Sequence, residues 1–271
     1  ASAIAAAEII VRETAYAVGG ETRPLPLLGS FNVTETTGWD PAYQMTLLEA
    51  GHKILPWLAW PDDIDTSDPD ELAAFDAYYE TYLEYCEELG LPLWFRGTQW
   101  EKMLIDDAAT YETGDPATSA FVIKPDLSVL TTLSPFGSLD HWDDPAEEYM
   151  DRDSWRRLQS FYPSPPLVMF HSNNETTKIR WHELETNSKY FVDTYGTEQT
   201  DAFKKELIAE KWTERYQRMI ATMRTTLEAD SEDWAGASRF VAYKAFGPRE
   251  VGRYANWANY AIVTDDAITP D

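Results

Sequence analysis

The stretch PPLVMFHSNNE, Pro165 to Glu175, sets four apolar residues, Leu167 to Phe170, directly ahead of His171, Ser172, Asn173, Asn174 and Glu175. An apolar run of this kind reads as a buried strand. Nothing in the stability of a strand asks for an imidazole, a hydroxyl, two amides and a carboxylate at its end. Such groups do chemistry: a carboxylic acid gives or takes a proton, amides hydrogen-bond hydroxyls, and an imidazole shapes the surroundings of both. The structural alternative is a polar loop in which Asn174 caps the next turn and Glu175 is solvated. Asn174-Glu175-Thr176 is also an N-glycosylation sequon, as is Asn32-Val33-Thr34.

The elements that must position these residues alternate. Residues 24–33 (PLPLLGSFNV) read as a strand and 41–51 as a short helix opened by Pro41 and stopped by Gly51. Residues 52–61 read as a strand, and 68–90 as a helix capped by Asp68 or Asp70, acidic in its first turn and ended by Gly90. A strand follows over 91–101, then a hairpin turning at Pro125-Asp126, a helix over 151–162 and the strand that ends in HSNNE. A long amphipathic helix spans 200–229 and another strand 238–247, while YANWANYAIVTDD is ambiguous between helix and strand. Strand and helix in alternation predict parallel strands with crossover helices, either an open α/β sheet or a (β/α)8 barrel. No glycine-rich phosphate loop follows the first predicted strand, which disfavours nucleotide-binding α/β folds.

The predicted strand ends carry Asn32, Trp57 to Trp60, Arg96 to Glu101, His171 to Glu175, and Tyr243 to Phe246. That mixture of aromatic faces, amides and carboxylates is what a sugar site needs. Trp57, Trp60, Trp100 and Trp142 are the platform candidates, each with a core role as its alternative. Asp140-His141-Trp142 reads as a loop able to contact a sugar.

Other chemistries find less. His52, His141, His171 and His182 show no HExxH or paired ligand spacing, so no metal is expected. No GxSxG elbow is present. The single cysteine, Cys86, precludes an internal disulfide and falls on an apolar helix face, as a small core residue would. The acidic stretch WPDDIDTSDPDE reads as a solvated loop before a capped helix, with a Ca²⁺ site as the sharper alternative. No cofactor is expected.

The 271 residues carry a formal net charge of -25. A field of that sign repels nucleic acid and anionic membranes. It reads as the surface of a protein kept soluble in a saline habitat or as an acidic surface with no specific role, with a cationic partner as the sharper alternative. No apolar run approaches the roughly 20 residues needed to cross a bilayer. The opening ASAIAAAEII lacks a basic region and reads as the mature end left by signal-peptide cleavage or as a trimming boundary. A secreted or periplasmic location is the expectation.

An apolar fourth strand closing on Asn-Glu resembles clan A, the large clan of retaining glycoside hydrolases built on (β/α)8 barrels. By the predicted count, PLVMFHSNNE is the fourth barrel strand. The resemblance implies that Glu175 is the general acid/base and that Asn174 holds the sugar's 2-hydroxyl. It also implies an arginine near the end of the second strand; Arg96 is the nearby candidate, though it falls on the third predicted strand. The wider stretch YPSPPLVMFHSNNETTKIRWHELE resembles secreted proteins of marine bacteria that degrade polysaccharides.

The resemblance leaves one position unfilled. Clan A carries its nucleophile, a second Glu, at the end of strand seven, and only about two dozen residues follow Phe246. Three expectations stand side by side. The chain is the N-terminal part of a barrel completed by a second polypeptide; or it is a shortened protein that binds without cleaving; or the second carboxylate is already present as Glu101, Asp140 or Glu250. The organisation expected is one α/β barrel-type domain over 1–271, covering about strands one to five, with a hairpin insertion over 117–140. The function expected is retaining hydrolysis of a polysaccharide or oligosaccharide. Glu175 is the acid/base, with Asn174, Asn32, Trp57, Trp60, Arg96, Trp100, Asp140, His141, Trp142, His171 and Tyr243 around the substrate. The alternatives are a non-catalytic carbohydrate-binding or assembly protein on the same scaffold, and a polysaccharide lyase.

Overall fold

A computed structural model describes residues 57–97, 102–174, 178–244 and 260–263. The predicted strand at 24–33 and helix at 41–51 lie outside the described residues. The fold is mixed α/β with a three-stranded parallel sheet. The chain divides into two compact units, Ala1–Arg96 with Asp153–Met169, and Gly97–Arg152 with Phe170–Asp271.

In the first unit, strand β1 (Trp57–Ala59) pairs in parallel with β2 (Leu93–Gly97), setting Leu58 opposite Phe95 and Ala59 opposite Arg96. Between them runs helix α1 (Pro69–Leu89). Its ends are fixed by the residues the sequence singles out. Asp68 accepts the N–H groups of Asp70 and Glu71, and Gly90 closes the helix at φ 60, a left-handed conformation that costs glycine nothing. Phe75, Tyr79, Tyr82, Leu83 and Cys86 form its buried stripe. Helix α5 (Asp153–Phe161) packs on α1, and Arg157 reaches both carboxylate oxygens of Asp76 at 2.7 and 2.6 Å. Trp155, fully buried, meets the ring edges of Phe95 at 4.9 Å and Trp60 at 5.7 Å. Strand β5 (Val168–Asn174) starts here, where the Leu93 N–H donates to the Leu167 carbonyl at 2.8 Å.

The second unit is organised by one long helix. Short helices α2 (Lys102–Asp106) and α3 (Ala108–Tyr111) precede an antiparallel hairpin of β3 (Phe121–Ile123) and β4 (Val129–Leu133). The hairpin turns where Pro125-Asp126 predicts. Asp126 accepts from the Ser128 N–H at 3.0 Å and hydroxyl at 2.6 Å, and Leu127 takes the left-handed φ of 70. A 3-10 turn, Asp140–Trp142, leads into α4 (Asp143–Met150). After β5, a 3-10 turn (Trp181–Glu183), α6 (Leu184–Asn187) and α7 (Lys189–Tyr195) lead to α8 (Asp201–Asp230). Helix α9 (Glu232–Ala237) then feeds β6 (Ser238–Lys244), which pairs antiparallel with β7 (Tyr260–Val263). The later residues of β5 lie beside β6, where Phe170 stacks on Phe240 at 5.1 Å.

This topology qualifies the barrel expectation. A (β/α)8 barrel keeps every strand parallel to its neighbours. The β6–β7 pair is antiparallel, and no closed barrel is shown among the described strands.

Helix α8 buries a stripe from Lys204 to Leu227 at helical spacing, including Trp212, Arg215, Tyr216, Met219, Ile220 and Met223. Asp143, at the start of α4, is held to it by the Arg218 guanidinium at 2.5–2.8 Å and by the Thr222 hydroxyl at 2.7 Å. Arg215 is 2% exposed, and burial pulls its pKa down to about 10, so it remains charged at neutral pH. Its guanidinium donates to the carbonyls of Gly137 and, at 3.0 Å, Lys211. Gly137 lies so close to the Ser119 backbone that an added Cβ would sit 2.1 Å from the Ser119 oxygen. Gly137→Ala is therefore expected to cost at least about 2 kcal/mol, because two backbone segments must separate. Urea unfolding of the two proteins measures it.

Candidate functional site at the end of β5

The apolar run ahead of the polar cluster is a strand. β5 extends from Val168 through His171 to Asn174, with Val168 and Phe170 fully buried. Period-2 geometry puts those two on one face. Asn174 is the last residue of the strand, and Glu175 is the first of three residues, 175–177, that lie outside the described ones.

Lys178 meets three partners in the second unit. It forms a parallel bridge with Leu133, the last residue of β4, and the following N–H, of Ile179, donates to the Leu133 carbonyl at 3.3 Å. Its ammonium donates to the Tyr216 hydroxyl. It also stands over two aromatic faces, 5.3 Å from the Trp212 ring centre and 5.0 Å from that of Tyr216. The negative faces of the rings attract the cation, and the phenol oxygen accepts its proton-bearing edge. Trp142 completes the cluster, edge-on to Trp212 at 5.9 Å and to Tyr216 at 6.3 Å. Trp212 and Tyr216 are four residues apart, hence on one face of α8.

The remaining candidates divide between the units. In the first, Trp57 begins β1 and Arg96 lies within β2. Trp60 is half-buried; its indole N–H donates to the Phe95 carbonyl at 3.2 Å and its ring meets Trp155, so both its polar and apolar parts serve the fold. In the second, His171 lies within β5 and Tyr243 within β6, where Tyr243 is opposite Tyr260. Asp140 is exposed and 4.0 Å from Arg218. His141 is half-buried, edge-on to Tyr111 at 5.5 Å. Its Nδ1 is buried with no hydrogen-bond partner among the described residues. Asn32, Trp100, Glu101 and Glu250 lie outside the described residues.

One candidate is corrected outright. Trp142 is 0% exposed, and a platform for a sugar ring needs an open face. The reading of Asp140-His141-Trp142 as a sugar-contacting loop gives way at Trp142, which ends a 3-10 turn and is drawn inward by Trp212 and Tyr216, a contact fixed by tertiary packing. The residues that sequence reasoning passed over are Lys178, Trp212 and Tyr216. The i, i+4 spacing of Trp212 and Tyr216 is legible, but only the fold brings Lys178 to them.

Among the described residues, no three His, Cys, Asp or Glu side chains are placed to hold a metal ion, and no helix is long and apolar enough to cross a membrane. Burial pushes the Cys86 thiol up to about 11, against a smaller opposing effect from the Tyr82 hydroxyl. Comparison with protein families, with curated proteins and with solved structures finds no match to this chain.

Two outcomes follow for the aromatic and thiol groups. Trp142→Ala should destabilise the fold by about 3–5 kcal/mol, the cost of emptying a buried indole site, and chemical denaturation reads it. A platform role would instead cost sugar binding at unchanged stability. Cys86 should react with a disulfide reagent at pH 8 at least about 100-fold more slowly in the native chain than in the urea-unfolded chain, since thiolate is scarce when the pKa is raised.

Proposed function

We propose that this chain is a secreted or periplasmic glycoside hydrolase acting on a polysaccharide or oligosaccharide by retaining hydrolysis, with Glu175 as its general acid/base. The observation that carries the reading is that β5 ends at Asn174, one residue before Glu175. Strand ends next to buried apolar faces are where α/β proteins hold reactive groups against substrate. The role asks for a carboxylic acid that holds its proton long enough to protonate a leaving oxygen, as shielding from water favours. Asn174, directly before it in the chain, is the candidate for the sugar hydroxyl.

Retaining hydrolysis also needs a carboxylate about 5–5.5 Å from the acid, on the other side of the scissile bond. Glu101, Asp140 and Glu250 are the candidates, together with any carboxylate of a second polypeptide that completes a (β/α)8-type barrel around these parallel strands. The antiparallel β6–β7 pair departs from that barrel and favours a second reading, a carbohydrate-binding protein on an open sheet that holds sugar without cleaving it.

Glu175→Gln separates the two. The unaltered chain is incubated with laminarin, xylan or alginate, and new reducing ends are counted. The substitution is expected to lower the rate by about 10²–10⁴-fold, as removal of an acid/base does, while retention on an affinity gel of the same polysaccharide survives. Equal rates for the two proteins would remove Glu175 from the mechanism. Binding without reducing ends in either protein would establish the second reading, and products absorbing in the near ultraviolet would mark elimination by a lyase.

A further inference from the structure

Helix α1 carries more apolar surface than its own unit buries. Its buried residues, Phe75, Tyr79, Tyr82, Leu83 and Cys86, fall within an arc of about 100° when each residue turns the helix by about 100°, the width a helix needs to cover one core. Tyr78, Tyr85 and Leu89 continue that arc by roughly a further 60° on one side. Tyr78 is 41% exposed and Leu89 48%, and Tyr85 between them is half-buried. Four large apolar side chains are exposed among the described residues, and two of them are on this line of α1. They stand eleven residues apart, three turns or about 16 Å.

The charges beside this line are of one sign. Glu71 is on the same line as Leu89, and Glu84 and Glu88 lie on the flank turned away from the buried stripe, with only the small, exposed Ala74 and Thr81 between. Among the described residues, none of these three carboxylates is in an ion pair. The one bridged carboxylate of the helix, Asp76, is on the opposite side, where Arg157 of α5 holds it. An apolar line bordered by unmatched carboxylates is complementary to a helix with leucine-like residues on one face and lysine or arginine beside them. A second copy of this chain would set like charges against like, and a convex helix offers no cleft for a small ligand.

We infer that the Tyr78–Leu89 line of α1 is a docking surface for a basic amphipathic helix of a partner polypeptide. Tyr78 suits such a surface, since its ring gives apolar area while its hydroxyl stays wet, and its ring edge is already braced by Tyr79 at 4.7 Å. The carboxylates of the flank set the sign and orientation of the partner, and Tyr78 and Leu89 hold it in place. The inference is independent of the hydrolase reading: it concerns the first unit alone and holds for an enzyme or for a binding protein.

The test uses the full chain and a labelled synthetic peptide of about 15 residues, about 22 Å long as a helix, with leucine on one face and lysine on the other. A peptide of the same composition in scrambled order measures attraction by charge alone. Fluorescence anisotropy is expected to show the amphipathic peptide bound at least about 10-fold more tightly than the scrambled one, as loss of a buried anchor pair would cost. Tyr78→Ser combined with Leu89→Ser is expected to bring the two within about 2-fold, with the urea midpoint unchanged because both sites are exposed. Glu84→Gln with Glu88→Gln is expected to weaken the amphipathic peptide about 3–10-fold. Equal affinity for the two peptides in the unaltered chain, or a preference that survives the Tyr78 and Leu89 substitutions, would overturn the inference. So would a dimer of the unaltered chain in sedimentation velocity that Leu89→Ser dissociates, since a second copy would then be the occupant. Should the double substitution fail to fold, hydrogen exchange on the unaltered chain decides: the amphipathic peptide is expected to slow exchange in 69–89 at least about 3-fold, and protection confined to other segments would overturn the inference.

Discussion

The second unit depends on the buried face of α8. This helix has 30 residues, about 45 Å of length at 1.5 Å per residue. An isolated helix gains little from its own hydrogen bonds in water, so its stability comes from what it covers. Here the stripe holds Trp212, Tyr216, Met219, Ile220, Met223 and Leu227, and α4, α9 and the two 3-10 turns pack against the helix. Two cations sit within the same stripe. The Arg215 Nη atoms donate to backbone carbonyls while its Nε is buried with no partner among the described residues, and Lys204 meets Glu185 and Asp201 at 3.3 Å. A buried charge left unmatched would cost several kcal/mol, so these contacts are conditions of the helix lying where it does.

The proposed chemistry inherits that dependence. The end of β5 and the Lys178 cluster lie in the same unit, and the cluster's aromatic wall is a face of α8. Asp143 ties the start of α4 to that helix through Arg218 and Thr222, and its pKa is lowered overall. Partial burial opposes that shift, and the hydrogen bonds from Arg218 and Thr222 outweigh it. The segment that brings Trp142 inward is therefore held by charge at its surface and by aromatic packing beneath. Lys178 and the buried face of α8 share contacts, so substitutions at one will be felt at the other unless they preserve shape.

Much of the framework was legible from local chemistry. Asp68 and Gly90 bound α1 because a carboxylate accepts orphan N–H groups and glycine accepts a left-handed φ. Pro125-Asp126 marks the hairpin, and the apolar run after Pro166 marks β5. The short helix α4 was not legible: DDPAEEYM has eight residues, four of them acidic, and is held by groups some 75 positions away. The division into two units was hidden for a similar reason, since residues 153–169 join the first unit across a long separation in sequence. The strand β5 was legible, whereas the Lys178 cluster was not. Periodicity reports which face of an element is buried and does not report which distant lysine will lie on it.

Helix α1 has a consequence of another kind. It carries Asp70, Glu71, Asp76, Glu80, Glu84, Glu87 and Glu88 and no lysine or arginine of its own. Two of these, Glu87 and Glu88, lie at the end of the helix where the backbone dipole is already negative. Among the described residues, only Asp76 has a guanidinium bridging both of its oxygens. Folding gathers these carboxylates along one rod, closer together than in an extended chain, and dissolved cations accumulate around it to offset the repulsion. Over a Debye length of about 8–10 Å near physiological ionic strength, that mobile atmosphere acts as an unlocalised ligand of the native state. The stability of the first unit is thereby a joint property of the polypeptide and of the electrolyte in which it folds.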